Sequence, residues 1–228
     1  MLAVTVLGTG TLLAGPPAWL LGWLETLYPG CLYRVPLEAP VVALTVDDGP
    51  DPATTPAILE ELRRQGARAT FFLIAERVAG REPLVRRMVA EGHELGNHFT
   101  RDRPAIRLSA DRFERDLEQA HRVLALFARI RWARPGSGWY SRGMIATMTR
   151  HGYRCALGSA YPYDATIPSP GFAAWHILRN VRPGAVLVLH DGGARGRRTA
   201  RVLRSVLPEL RRRGFRVVSL SELAAEAR

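Results

Sequence analysis

Two adjacent carboxylates, Asp47 and Asp48, end the apolar run Val41-Val42-Ala43-Leu44-Thr45-Val46 and are followed at once by Gly49-Pro50. The run does not alternate, so it reads as a strand buried on both faces, and Gly-Pro stops it with turn chemistry. The acidic pair then stands at the carboxyl end of a core strand, where α/β folds place their reactive groups. Neighbouring carboxylates repel unless a cation or a shared proton intervenes. An isolated Asp-Asp-Gly also fits a plain turn with a spare capping carboxylate. Three further strand ends weigh against that: His98, Arg134-Pro135 and His190-Asp191. Each can bind a metal, or move or stabilise a proton, and four such endings on one rim point to a reaction centre. His93, His121, His151 and His176 have no comparable placement and read as structural or exposed.

The elements that must position these residues alternate along the chain. Strands are expected at 41–46, 69–74, 93–98, 131–134, 153–157, 185–189 and 215–219. Helices are expected over 55–66, 83–91, 109–127, 143–150, 172–178 and 199–213, the last broken by Pro208. The clearest helical pattern is Phe113, Leu117, Ala120, Leu124 and Phe127, at spacings of four and three. Strands alternating with helices mean a parallel sheet, and about seven units favour a closed or nearly closed α/β barrel.

Of 228 residues, 47% are hydrophobic, enough for a sizeable core in one domain. The formal charge is +11, from 32 basic against 21 acidic residues, and every basic residue is Arg. Local clusters at 195–201 and 211–213 carry no interleaved aromatics of the kind a single-strand groove uses, so specific nucleic-acid binding is not expected. Residues 1–24 contain no charged side chain and are long enough to cross a bilayer, although Pro16-Pro17 interrupts them. That run reads as a membrane anchor or its remnant, the alternative being a helix packed on the domain. Trp19, Trp23 and Tyr28 suit an interfacial belt. The expected division is 1–32 as an apolar segment and 33–228 as the barrel, outside the cytoplasm if the anchor operates and cytoplasmic otherwise. Cys31 and Cys155 have no metal-type spacing and allow either one disulfide or two buried thiols.

From about Val41 to Leu220 the chain resembles the NodB-homology polysaccharide deacetylases, carbohydrate esterase family 4. That family's Thr-Phe-Asp-Asp-Gly appears as Thr45-Val46-Asp47-Asp48-Gly49. Its His-Ser/Thr-x-x-His appears as His98-Phe99-Thr100-Arg101-Asp102, with Asp in the place of the second His. Arg-Pro-Pro-Tyr becomes Arg134-Pro135-Gly136-Ser137, the buried-Asp motif becomes Tyr163-Asp164-Ala165, and Leu-x-Leu-His is intact as Leu187-Val188-Leu189-His190. The resemblance implies a distorted (β/α)7 barrel that removes N-acetyl groups from an acetylated sugar or glycan.

It further implies a divalent metal, zinc first, with iron, manganese, cobalt or nickel as alternatives, held by Asp48, His98 and Asp102. Asp47 is then the base, Arg134 its partner, His190 the acid and Asp164 the carboxylate that tunes it. The N–H near Ser137 meets the oxyanion, and Leu187 and Leu189 line the acetyl pocket. Asp102 in place of His makes the metal site harder and more anionic, and loss of the family's Trp and Tyr alters the groove. Competing expectations are hydrolysis of another C–N bond in a small amide or imide, a catalytically silent carbohydrate-binding barrel, and a basic polymer-binding protein. The oligomeric state is not legible.

Overall fold

The computed structural model describes residues 17–227. In chain order the elements are α1 (Ala18–Leu27), β1 (Cys31–Leu32), β2 (Val41–Gly49), α2 (Thr55–Arg64), β3 (Thr70–Leu73), α3 (Glu82–Ala90) and β4 (Glu94–Asn97). They continue with α4 (Ala110–Leu124), β5 (Trp132–Ala133), α5 (Arg142–Arg150), β6 (Arg154–Ala156), α6 (Pro170–Asn180), β7 (Val186–His190), α7 (Gly193–Arg212), β8 (Arg216–Val218) and α8 (Leu220–Ala225).

The sheet runs β1-β6-β5-β4-β3-β2-β7, with every pairing parallel. Ala160, just past β6, makes a parallel bridge to Leu187 of β7, so the ring β2 to β7 closes on itself. β8 pairs with the first residues of β2, and Arg68 N–H, leading into β3, donates to Val217 O. All seven expected strands are present, and the parallel α/β barrel is borne out. The additional strand is β1, two residues long and too short to carry a pattern.

Alternation along the strands sorts the core into two parts. Val41, Ala43, Phe72, Trp132, Ala156 and Val186 form one cluster inside the barrel, together with Leu220 and Leu223 of α8. Trp132 Nε1 donates to Ser221 Oγ at 3.0 Å, so α8 closes the end of the barrel opposite the acidic pair. Val42, Leu44, Val46, Phe71 and Leu73 face the helices instead. There α4 contributes Phe113, Leu117, Ala120 and Leu124, all buried, and each large side chain adds about 1.5–3 kcal/mol.

α7 departs from expectation twice. It begins at Gly193 rather than near residue 199, and it runs through Pro208 without a break. Proline removes one helical hydrogen bond, but Val206, Leu207 and Leu210 are buried on either side of it, and that packing outweighs the loss. At the amino terminus the fold starts before Tyr33. Leu21 of α1 packs in the core, Tyr28 meets Tyr140 edge-on with centroids 4.9 Å apart, and β1 pairs with β6. Residues 1–16 of the apolar run lie outside the described residues; among those described, no helix is long and apolar enough to cross a membrane. Cys31 and Cys155 are register partners across β1 and β6, both free and buried.

Candidate active site

Side chains alternate along a strand, so two consecutive carboxylates should point to opposite faces. β2 escapes this at its end. Asp47 follows Val41, Ala43 and Thr45 on the inner face, and Asp48 takes φ of 71° where the pairing with β3 shifts register. Both carboxylates are consequently buried at the same end of the barrel. Among the described residues the non-glycine positions with positive φ are Asp48, Phe99, Ser137 and Tyr163. All four fall in the segments that carry the motifs, as strained backbone at functional sites does.

Arg134 is the hub. Nη1 donates to Asp47 Oδ1 at 2.6 Å and to Thr45 Oγ1 at 2.8 Å, Nε to Ala156 O at 2.8 Å, and Nη2 to Leu157 O at 2.6 Å. Its guanidinium lies over the Phe72 ring, 4.1 Å from the centroid. Phe72 in turn fits only because residue 96 is Gly: a Cβ there would stand 2.5 Å from Phe72 Cδ1. A glycine in β4 thereby sets the base.

Asp47 and His190 are register partners on adjacent parallel strands, so their side chains leave the sheet on the same face. His190 Nδ1 lies 3.0 Å from both oxygens of Asp164, and its backbone N–H donates to Oδ2 at 2.9 Å. Nδ1 therefore carries a proton, and Nε2 is left for the site. Burial disfavours the charged ring, but the Asp164 hydrogen bonds, then Asp47 and Asp48, outweigh it and raise the pKa to about 8.

His98 donates from Nδ1 to Arg134 O at 2.7 Å and turns Nε2 toward Asp48 Oδ1 at 3.4 Å. Its burial opposes the charged form, yet Asp47 and Asp48 overcome it and the pKa is raised. Asp48 responds in the opposite sense: burial alone would raise its carboxyl, but His98, His190 and Arg195 hold it at about 2. The loop after His98 is pinned by Asn97, which accepts from Phe99 N–H, and by buried Asp116, which accepts from Thr100 N–H and from Arg103.

Asp102 does not join this pair as expected. It is about half exposed (49%) and ion-paired with Arg77 at 3.2 Å. Among the described residues no group of three His, Cys, Asp or Glu side chains could hold a metal. Asp48 and His98 supply two donors, and Arg195 Nη1 sits 3.0 Å from Asp48 Oδ2. The residues present do not complete the three-donor site the resemblance implies. Leu187 and Leu189 also stand elsewhere. They alternate with inward Val186, Val188 and His190, pack with the helix-facing core and are essentially inaccessible, so they do not line an acetyl pocket. Ser137 is exposed on the loop after Arg134.

Sequence residues 34–156 match the family model for polysaccharide deacetylase. The chain belongs to the polysaccharide deacetylase family. It is 34% identical over 194 residues to the peptidoglycan-N-acetylglucosamine deacetylase of Bacillus cereus, covering 84% of this chain and 91% of that one. It is 34% identical over 196 residues to the chitooligosaccharide deacetylase of Bradyrhizobium sp., covering 80% and 90%. The fold matches a solved structure of a peptidoglycan N-acetylglucosamine deacetylase with a TM-score of 0.82 at 27% identity, over 91% of this chain and 96% of that one. In this polysaccharide deacetylase, sequence reasoning missed Phe72, Gly96, Asp116, Arg77 and Arg195. None lies in a motif, and Arg195 was absorbed into a basic cluster.

Proposed function

We propose that this polysaccharide deacetylase hydrolyses N-acetyl groups on an acetylated amino-sugar glycan, with Asp47 as base and His190 as acid. The observation that carries this reading is the Asp47–His190 register pair, each member held by its own buried partner, Arg134 or Asp164. Arg134 Nη1, 2.6 Å from Asp47 Oδ1, aims the carboxylate, so Asp47 can take a proton from water as the water's oxygen bonds to the acetyl carbon. His190, charged near neutrality, gives the Nε2 proton to the amine as the C–N bond breaks, releasing acetate. The Ser137 N–H on the adjacent loop is the proposed oxyanion donor. The relatives' names support a glycan of peptidoglycan or chitin type. Among the described residues Asp48 and His98 supply two donors for a divalent ion and no third carboxylate, imidazole or thiolate joins them.

Acetate release from N-acetylglucosamine oligomers and from peptidoglycan tests the reading. Asp47→Asn should lower the rate at least about a hundredfold, and His190→Ala should also abolish most turnover. A second reading, a catalytically silent glycan-binding barrel, is favoured by one observation, the Arg195–Asp48 pair in place of a third donor. Glycan binding without acetate release by the wild-type protein selects it. The apolar run 1–24 is proposed to hold the barrel at a membrane, outside the cytoplasm; full-length protein found wholly in the soluble fraction overturns this.

A further inference from the structure

The cation beside Asp48 belongs to the chain. Arg195, in the first turn of α7, reaches Asp48 Oδ2 with Nη1 at 3.0 Å, while Oδ1 faces His98 Nε2 at 3.4 Å. From the other side Arg77 donates to the Asp48 main-chain carbonyl and to the Asp102 carboxylate. Two of the three groups expected to ligate a dication are therefore already neutralised by guanidinium groups. A guanidinium stays charged throughout the accessible pH range, and its planar fork suits a carboxylate.

The approach of Arg195 is built into the backbone. Gly192 and Gly193 adopt φ of 87° and 50°, which turns the chain sharply from β7 into α7. Gly193 N–H donates to Asp51 Oδ2 at 2.8 Å, and Asp191 N–H donates to Asp47 O at 2.7 Å. Asp191 also accepts from Thr54 and Thr55 at the start of α2. Gly196 lets the first turn of α7 close onto this cluster, because a Cβ there would stand 2.4 Å from both Asp191 Oδ1 and Thr54 Oγ1. Arg195 is thus carried to Asp48 by a turn anchored to both β2 and α2.

We propose that Arg195 is the resident cation of this site, filling the place a divalent ion would take beside Asp48. Residue 102 follows the same logic. With no dication to hold, a third donor has no role, and an Asp there neutralises Arg77 instead. The inference concerns the site of the proposed deacetylase, but its test reads metal binding and does not depend on turnover.

Zinc and cobalt titrations by calorimetry, with untagged full-length protein, compare wild type with Arg195→Ala and Arg195→Gln. The Arg195 side chain is 40% exposed, so its removal opens no core cavity, and circular dichroism checks that each variant is folded. Both variants should bind zinc or cobalt at least tenfold more tightly than wild type, and adding Asp102→His to Arg195→Gln should tighten binding again. The proposal is overturned if wild-type protein keeps one equivalent of zinc through gel filtration. It is equally overturned if neither single variant gains affinity. Acetate release is assayed separately: its absence from wild type removes the deacetylase reading, and the titrations still decide the role of Arg195.

Discussion

Gly96→Ala should damage the site from a distance, without touching any ionisable group. The added Cβ would lie 2.5 Å from Phe72 Cδ1 and 2.6 Å from Cε1. Carbon atoms pack at about 3.5–4.0 Å, so the ring must retreat by about 1 Å. It cannot do so freely, because the Arg134 guanidinium lies 4.1 Å from its centroid and Arg134 is fixed to Asp47, Thr45, Ala156 and Leu157. Overpacking of this kind costs about 1–3 kcal/mol. For a chain of this size that lowers the melting temperature by about 2–4 °C per kcal/mol. A base displaced by about 1 Å also loses on the order of a hundredfold in rate. Thermal melting and acetate release read the two effects together. Gly22→Ala in α1 is the control, since a Cβ there meets nothing within 4 Å and removing a helical Gly stabilises by up to about 1 kcal/mol. If Gly96→Ala melts with wild type and turns over at the same rate, the path from Gly96 through Phe72 and Arg134 to Asp47 does not exist.

Arg134→Met should destabilise by about 3–5 kcal/mol in urea titration, because it strands a buried carboxylate, and Arg134→Lys should recover only part of this, since one ammonium cannot reach all four oxygens. The raised pKa of His190, about 8 against an unfolded value near 6.5, makes its contribution of about 2 kcal/mol complete below pH 6.5 and lost as pH rises through 8. Urea midpoints across that window should show the loss in wild type and not in Asp164→Asn, and the alkaline fall in acetate release should move to lower pH in the same variant. Burial pushes the Cys155 thiol well above its usual range, so an aromatic disulfide reagent should leave it unmodified in native protein and modify both cysteines after denaturation.

The sequence exposed whatever depended on local pattern. The run ahead of Asp47, the periodic face of α4 and the apolar segment before His190 each declare their element, and strand ends then locate the site. What it hid depends on geometry between elements. Leu187 and Leu189 share a strand with His190, but the period of two sends them to the opposite face, and only the position of the barrel axis says which face holds the chemistry. Phe72 and Gly96 look like ordinary strand residues until β3 and β4 lie side by side. Asp102 stands at the motif spacing of a ligand, yet spacing cannot reveal that Arg77, from the loop after β3, is there to take its carboxylate.

Arg195 was hidden by abundance. In a chain whose basic residues are all arginine, one member of a cluster carries no distinguishing signal. The Gly192-Gly193 turn supplies the missing information, because it is what brings the first turn of α7 over the end of β2. The two departures therefore belong together. A lost histidine at 102 taken alone reads as a weakened metal site, and an arginine at 195 taken alone reads as surface charge. Joined at Asp48, they describe a site whose positive charge has been moved from a bound ion to the polypeptide.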